Sequence, residues 1–110
     1  MKMKTLVGVK RLAFLLPESA SLEQKRQVIR KLRDTITNKY NVSFAEIESD
    51  DKWLQTIIAI SMVSNNEELI KSAFLQISNM IETIVKVRVF NEADDIFTFE
   101  NESGSAWIPE

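Results

Sequence analysis

The stretch from Ser21 to Trp53 constrains the fold most, because its hydrophobic period changes from that of a helix to that of a strand with almost no loop between them. Ser21 and Gln24 form a capping-box pair, which predicts a helix that begins at Leu22. Apolar residues then recur every three or four positions as far as Tyr40, so one face of this helix is expected to pack against a core.

The remaining periodic segments predict an α+β protein. Their order is strand, helix, strand, strand, helix, strand, which is the ferredoxin-like split βαβ sandwich, an antiparallel sheet with two helices on one face. The first and third strands are central in that topology, and both are apolar on their two faces, as central strands are. The six segments are residues 4–16, 22–40, 42–49 and 54–63, a second helix capped by Asn65, and residues 85–89.

The same pattern predicts one folded unit followed by a tail. Residues 1–91 are expected to form a single ferredoxin-like domain, and residues 92–110 an acidic C-terminal tail. Within the tail, Ile96–Phe99 alternates enough to add a short extra strand, while Trp107–Ile108 is an apolar hook. A loosely attached tail and a segment that docks on its own domain or on a neighbouring subunit are both open at this point.

The residue types that are missing narrow the chemistry. The sequence contains no cysteine and no histidine, which removes disulfides, thiol catalysis, zinc–thiolate sites and any Ser–His nucleophile pair. Gly8 and Gly104 are the only glycines, so a glycine-rich loop that cradles phosphate is also missing. We therefore predict that the protein is not an enzyme and has no catalytic residue, no cofactor and no metal site.

Carboxylates are dense at one place before the tail, at Glu46, Glu48, Asp50 and Asp51. Glu46 and Glu48 are expected to share one face of the second strand, where a hard cation such as magnesium could meet them. No companion base or phosphate loop supports such a site. A solvated acidic strand face is the interpretation that the sequence favours.

Basic residues line one edge of the first predicted helix. Arg26, Arg30 and Arg33 follow i, i+4, i+7 spacing, which places three guanidinium groups side by side. Lys25 falls inside the apolar stripe, where its stem has to reach past the helix end to keep the charge in water. We predict that these four side chains contact an anion such as RNA through its phosphates. The alternative is a solvated helix face without a ligand.

Charge is also divided unevenly along the chain. Residues 1–40 hold ten Lys and Arg against three acidic residues, a net charge of +7, whereas residues 41–110 hold four bases and thirteen acids, a net charge of −9. Such a division is compatible with an anionic partner that approaches a basic side. The alternative is that the two halves interleave in the fold and neutralise each other.

The N-terminal segment resembles a signal peptide only superficially, because Lys10 and Arg11 cut its apolar run into two short pieces. Those two residues mark an exposed stretch or a bulge in the first strand. No segment approaches the roughly 18 to 20 apolar residues of a membrane span. We expect a cytoplasmic protein with no membrane association.

Two segments, SLEQKRQVIRKL from Ser21 and NVSFAEIESDDKWLQTIIAISMVSNN from Asn41, resemble the YlxP-like family, a bacterial family of domains of unknown function. The resemblance spans roughly Leu6 to Val89. It implies a ferredoxin-like fold and a setting beside ribosome-maturation and translation factors, with no catalytic residue to transfer. The matching positions are Ser21, Leu22, Lys25, Arg26, Asn41, Val42, Ser43, Ala45, Glu46, Trp53, Ala59, Val63, Ser64 and Asn65.

Two functions remain open from the sequence. One is a non-enzymatic accessory protein of ribosome maturation or translation, which contacts ribosomal RNA or a ribosome-associated protein through the basic helix face. The other is a protein–protein interaction or dimerisation module with no nucleic-acid role. Two helices can cover only one face of a sheet whose central strands are apolar on both, so we expect either a homodimer through the open sheet face or coverage of that face by the tail from Ile96 to Trp107.

Overall fold

The described part of the chain forms six elements in the predicted order of strand, helix, strand, strand, helix and strand. The computed structural model describes residues 4–17, 20–50, 55–85 and 88–100. The elements are β1 (Thr5–Leu15), α1 (Leu22–Lys39), β2 (Ser43–Asp50), β3 (Gln55–Ser64), α2 (Glu67–Val85) and β4 (Arg88–Phe99). Trp53, Asp51 and residues 101–110, which include the predicted hook at Trp107–Ile108, lie outside the described residues.

The strands form one antiparallel sheet in the order β2-β3-β1-β4. The first and third strands are therefore central, as their apolar character on both faces predicts. This order, with a helix after β1 and another after β3, is the ferredoxin-like arrangement, and the predicted fold class is confirmed.

Both helices cover one face of the sheet and share one core with it. On β1, alternate residues from Leu6 to Phe14 point into this core. Gly8 is one of them, and a Cβ at this position would lie 2.5 Å from Ile70 Cγ2 and 3.0 Å from the Phe74 ring. The absence of a side chain at Gly8 is thus what lets α2 approach β1. The large side chains that are fully buried are Leu12, Phe14, Leu32, Ile36, Ile58, Ile60, Ile70, Phe74, Ile77 and Ile81.

Side-chain caps fix where the helices begin. The predicted capping box of α1 is present: Gln24 N donates to Ser21 Oγ at 3.1 Å, and Ser21 N donates to Gln24 Oε1 at 2.7 Å. For α2 the predicted cap is one residue too early. Leu69 N donates to Asn66 Oδ1 at 3.2 Å, so Asn66 and not Asn65 is the cap, because the cap residue directly precedes the first helical residue.

The fourth strand differs most from the prediction. Helix α2 continues to Val85, and β4 then runs for 12 residues, past the predicted domain boundary at residue 91. Ile96–Phe99 is the second half of this strand and not a separate one. The physical reason is the partner strand: β1 is 11 residues long, and β4 pairs with it from Thr5 to Leu15. Residues 91–95 look like a loop because they are polar, yet two of their acids pair with a buried lysine of β1.

Candidate functional site

The arginine stripe of α1, formed by Arg26, Arg30 and Arg33, is the predicted site that the structure keeps on the surface. All three side chains are exposed, while Ile29, Leu32 and Ile36 are buried on the core side of the same helix. The stripe lies on the flank of α1 that faces the edge strand β2, since the Arg33 guanidinium lies 5.8 Å from the centroid of the Phe44 ring.

The three guanidinium groups carry unneutralised charge. Among the residues that the structure describes, no carboxylate lies within 4 Å of any of them, whereas exposed Lys71 has Glu67 and Glu68 at 3.7 and 3.9 Å. Three adjacent cations with no internal counterion attract an anion more strongly than three cations that are already paired. The geometry suits phosphate oxygens, which guanidinium groups bind through paired hydrogen bonds.

Lys25 lies apart from this surface. Its residue is only 2% exposed, and its Nζ donates to the main-chain oxygen of Gln55 at 3.3 Å. The side chain therefore reaches from the start of α1 to the start of β3, under the core side of the helix, instead of reaching into water. Of the four side chains predicted to contact an anion, the three arginines are exposed and Lys25 is buried. Contact of the arginines with an anion stays a prediction.

A second cluster of charges, which the sequence did not reveal, surrounds Lys10. This residue is 2% exposed, because its position on β1 points to the helix side between Gly8 and Leu12. Its ammonium donates to Glu92 Oε1 at 3.0 Å and to Asp94 Oδ1 at 2.7 Å. The expectation that Lys10 and Arg11 mark one exposed stretch is wrong for Lys10: only Arg11, on the opposite face of the strand, is exposed.

The pKa of Glu92 is lowered from its ordinary value by these contacts. The hydrogen bond from Lys10 is the largest cause; desolvation by burial opposes it, and the charge of Lys10 and a hydrogen bond from Ser78 Oγ at 3.1 Å add to the lowering. A carboxylate held in its charged form next to a buried ammonium is an ion pair that fastens β4 to β1. The one signal in the sequence was the i, i+2 spacing of Glu92 and Asp94, and it has meaning only once β4 is paired with β1.

A groove of about 430 Å³ runs beside this cluster between α2 and β4. Phe74, Leu75 and Ile96 contribute apolar wall, and Lys10, Glu92 and Asp94 contribute the charged part. In the described ranges no three Asp and Glu side chains are close enough to hold a metal ion. With its ammonium engaged by two carboxylates, Lys10 has a structural role in this arrangement.

The carboxylates predicted to form one acidic face of β2 lie on two different faces of the sheet. The prediction that Glu46 and Glu48 share one face is wrong, because the pairing with β3 shifts between them: Glu46 pairs with Ile58, and Glu48 pairs with Ile57. Since Ile58 points into the core and Ile57 to the opposite side, the two carboxylates lie on opposite faces of the sheet. They cannot converge on one cation.

The sheet face opposite the helices is open and partly apolar. Val7 of β1 pairs with Val63 of β3 on one side and with Phe97 of β4 on the other, so the three side chains form a row across three strands. Val63 is 62% exposed, Phe97 is 46% exposed, and Phe99, two residues further on, is 60% exposed. Exposed apolar side chains that are contiguous across strands are typical of a surface that is covered by a partner.

The fold and these surfaces define a small ferredoxin-like α+β protein with an exposed arginine stripe and an open sheet face. Residues 7–93 match the DUF503 family, which is described as a protein of unknown function. The chain belongs to this family. In the part of the chain that is described, no helix is long and apolar enough to cross a membrane.

A relative and two solved structures extend the comparison. The chain is 31% identical over 61 residues to the uncharacterized protein YlxP of Bacillus subtilis (strain 168), an alignment that covers 56% of this chain and 66% of YlxP, just under two thirds of its length. The structural genomics protein YJCS is similar with a TM-score of 0.54 at 12% identity, over 81% of this chain and 96% of YJCS. TA0507, provisionally assigned as a chlorite dismutase, has a TM-score of 0.54 at 15% identity, over 96% of this chain and 47% of its own. At these identities the two structures support the fold alone.

Proposed function

We propose that this protein is a non-enzymatic accessory protein that binds structured RNA through the arginine stripe of α1, in the cytoplasm and in the setting of ribosome maturation or translation. The observation that carries the proposal is the row of three exposed guanidinium groups without a carboxylate within 4 Å among the described residues. The resemblance to YlxP-like proteins, whose genes are found near those of ribosome-maturation factors, supports ribosomal RNA as the polyanion.

Binding of this kind has a defined salt dependence. Each phosphate that a cation neutralises releases counterions, and the slope of log K against log salt changes by about 0.7 to 0.9 for each contact. Three arginines therefore predict a slope of about −2 to −3. Aromatic side chains that stack on bases are missing from the stripe itself, so we expect little dependence on RNA sequence.

The experiment measures binding of the full chain to a labelled ribosomal RNA hairpin over a series of salt concentrations. Replacement of all three arginines with glutamine (R26Q/R30Q/R33Q) should flatten the slope to near zero. The matched control is K31Q/K39Q/R88Q, which removes three exposed positive charges elsewhere and leaves the stripe intact. Thermal unfolding of both variants checks that the fold is retained, which is expected because exposed charges contribute little to stability.

Two outcomes contradict the proposal. Equal slopes for the two triple variants would mean that the net charge of the molecule matters and the stripe does not. Failure of the unchanged protein to bind at low salt would remove RNA as its partner altogether.

A second candidate function is a dimerisation module that works through the open sheet face. The apolar row of Val7, Val63 and Phe97, in which Val63 and Phe97 are exposed, favours it. Light scattering of the purified protein should then give twice the mass of one chain. V63K should lower that mass, because a lysine in the middle of an apolar contact is desolvated without a partner. The matched control is L75K, since Leu75 is equally exposed at 64% but lies on α2, on the other side of the molecule.

A further inference from the structure

The open sheet face carries two opposite charges at its centre. Arg11 of β1 is flanked by Ala59 of β3 and Ala93 of β4 in the pairing of the strands. Asp95 of β4 pairs with Val9, one row away on the same face. Both side chains are exposed, and within the described residues neither makes an ion pair, with the other or with any third residue.

The surroundings of this pair are small or apolar. The row with Arg11 contains alanines, and the row on the far side of Asp95 is the apolar row of Val7, Val63 and Phe97. Any apolar partner that covered this face would bury an arginine and an aspartate without counter-charges, which costs several kcal/mol. A partner suited to the face must therefore present one negative and one positive group at the matching places.

A second copy of the chain meets this requirement. In a two-fold dimer the same patch faces itself, so that if one residue contacts another, the reverse contact occurs as well. One basic and one acidic residue in a patch are self-complementary under that symmetry. An RNA partner fits poorly, because the two charges cancel and the acidic one repels phosphate.

The size of the face is also adequate. Four strands about 4.8 Å apart, paired over about ten residues of about 3.3 Å each, give a flat footprint of roughly 600 Å² before side-chain relief is counted. A standard specific interface takes about 800 Å² of accessible surface from each partner. Sheets pack face to face in this way in many β-sandwiches.

We propose that two copies of this chain pack open face against open face around a two-fold axis, with Arg11 of each copy paired with Asp95 of the other. This proposal rests on the second candidate function, the sheet-face dimer, and adds to it the partner, the symmetry and the two charges that fix the register.

Charge reversal tests the register directly. The proposed homodimer contains two equivalent contacts between position 11 of one copy and position 95 of the other. In R11D both contacts join two aspartates, and in D95R both join two arginines. Each variant alone should dimerise at least about tenfold more weakly than the unchanged protein, because like charges across an interface repel. An equimolar mixture of R11D and D95R should restore dimerisation, because in the mixed dimer each of the two contacts joins an aspartate of one chain to an arginine of the other. The double variant R11D/D95R should dimerise by itself as the unchanged protein does, since both of its contacts again join opposite charges.

Dimerisation is measured by sedimentation, with differently labelled chains to identify mixed dimers. K31D, a reversal on the exposed face of α1, is the matched control and should leave the dimer unchanged. Unfolding curves show whether a charge reversal damages the fold. If it does, the neutral variants R11Q and D95N take the place of the reversals in the test.

The possible outcomes distinguish failure of the Arg11–Asp95 pairing from failure of the sheet-face dimer. Dimers that V63K disrupts but that R11D and D95R do not weaken would overturn the Arg11–Asp95 pairing and leave the sheet-face dimer standing. A protein that is monomeric at every concentration would overturn both, and so would dimers that neither V63K nor the reversals affect. If the single variants dimerise weakly and the double variant R11D/D95R dimerises just as weakly, the two-fold register is overturned.

Discussion

Replacing Lys10 and replacing its two carboxylate partners should change stability by unequal amounts. The side chain of Lys10 is 3% exposed, whereas those of Glu92 and Asp94 are 45% and 46% exposed. In E92Q/D94N the ammonium stays buried without a counter-charge. In K10M the two carboxylates lose their partner but turn to water, and a methionine fills the space between Gly8 and Leu12.

The expected loss in the free energy of unfolding depends on whether a substitution leaves an unpaired charge buried. Removal of the partners of a buried charge costs about 3 to 5 kcal/mol, and the amide oxygens of the glutamine and asparagine still accept hydrogen bonds, so we expect about 3 kcal/mol for E92Q/D94N. Exchange of a buried charge for an apolar side chain of similar volume is often neutral, so K10M should change the free energy of unfolding by about 1 kcal/mol or less.

Urea unfolding at neutral pH measures the difference. With a slope of about 1 to 3 kcal/mol per molar urea, the midpoint of E92Q/D94N should fall by at least about 1 M, and that of K10M should fall by much less. K71M is the matched control: Lys71 pairs with Glu67 and Glu68 on an exposed helix face, where such pairs contribute little. If K10M destabilises the protein as much as E92Q/D94N, the ammonium is better solvated than its burial indicates and the reasoning fails.

Three further predictions concern the fold. G8A should destabilise by about 1 to 3 kcal/mol, because its Cβ would meet Ile70 Cγ2 at 2.5 Å; an unchanged urea midpoint would mean that α2 moves away freely. S21A should cost about 1 kcal/mol through the lost capping box and S21T clearly less, and equal losses in both variants would contradict this. The pKa of Glu92 is lowered in the folded state. The ionised carboxylate of Glu92 therefore contributes its full stabilisation of the fold above its ordinary pKa of about 4.3, and this stabilisation is lost as the pH falls through the lowered value. Stability should therefore fall less steeply below about pH 4 in E92Q, and parallel pH profiles would contradict the assignment.

The fold was predictable because its signals are local. The period of α1, its capping box and the two-sided apolar character of β1 and β3 each depend on residues close together in the sequence. Once the order of elements is known, few topologies remain, and the central position of β1 and β3 selects among them. The arginine stripe was predictable for the same reason, since i, i+4, i+7 spacing alone places three side chains on one edge of a helix.

The rest depends on contacts between distant parts of the chain. Lys10 lies 82 and 84 positions from the two acids that neutralise it, and no local pattern pairs them. Without that pairing, the polar run after Phe90 predicts a loop, which is why the sequence predicts an early end for β4. Lys25 is a similar case, because its burial depends on a main-chain oxygen at Gln55, 30 positions away. The shift between Glu46 and Glu48 arises from pairing with β3 and leaves no mark in the composition.

The uneven distribution of charge along the sequence does not produce one basic and one acidic half of the folded protein. Part of the positive N-terminal section is neutralised internally, because Lys10 is held by acids of β4, so the halves of the sequence do not correspond to two faces. Among the described residues, no carboxylate lies within 4 Å of the arginine stripe on the helix side, and the open sheet face lies on the opposite side of the sheet. The two proposed surfaces therefore do not compete. A sheet-face dimer would carry two stripes directed away from its interface, and one long RNA that reaches both would be held far more tightly than a short hairpin that reaches one. Loss of the dimer should then weaken binding to the long RNA alone, whereas loss of the stripe should weaken binding to both.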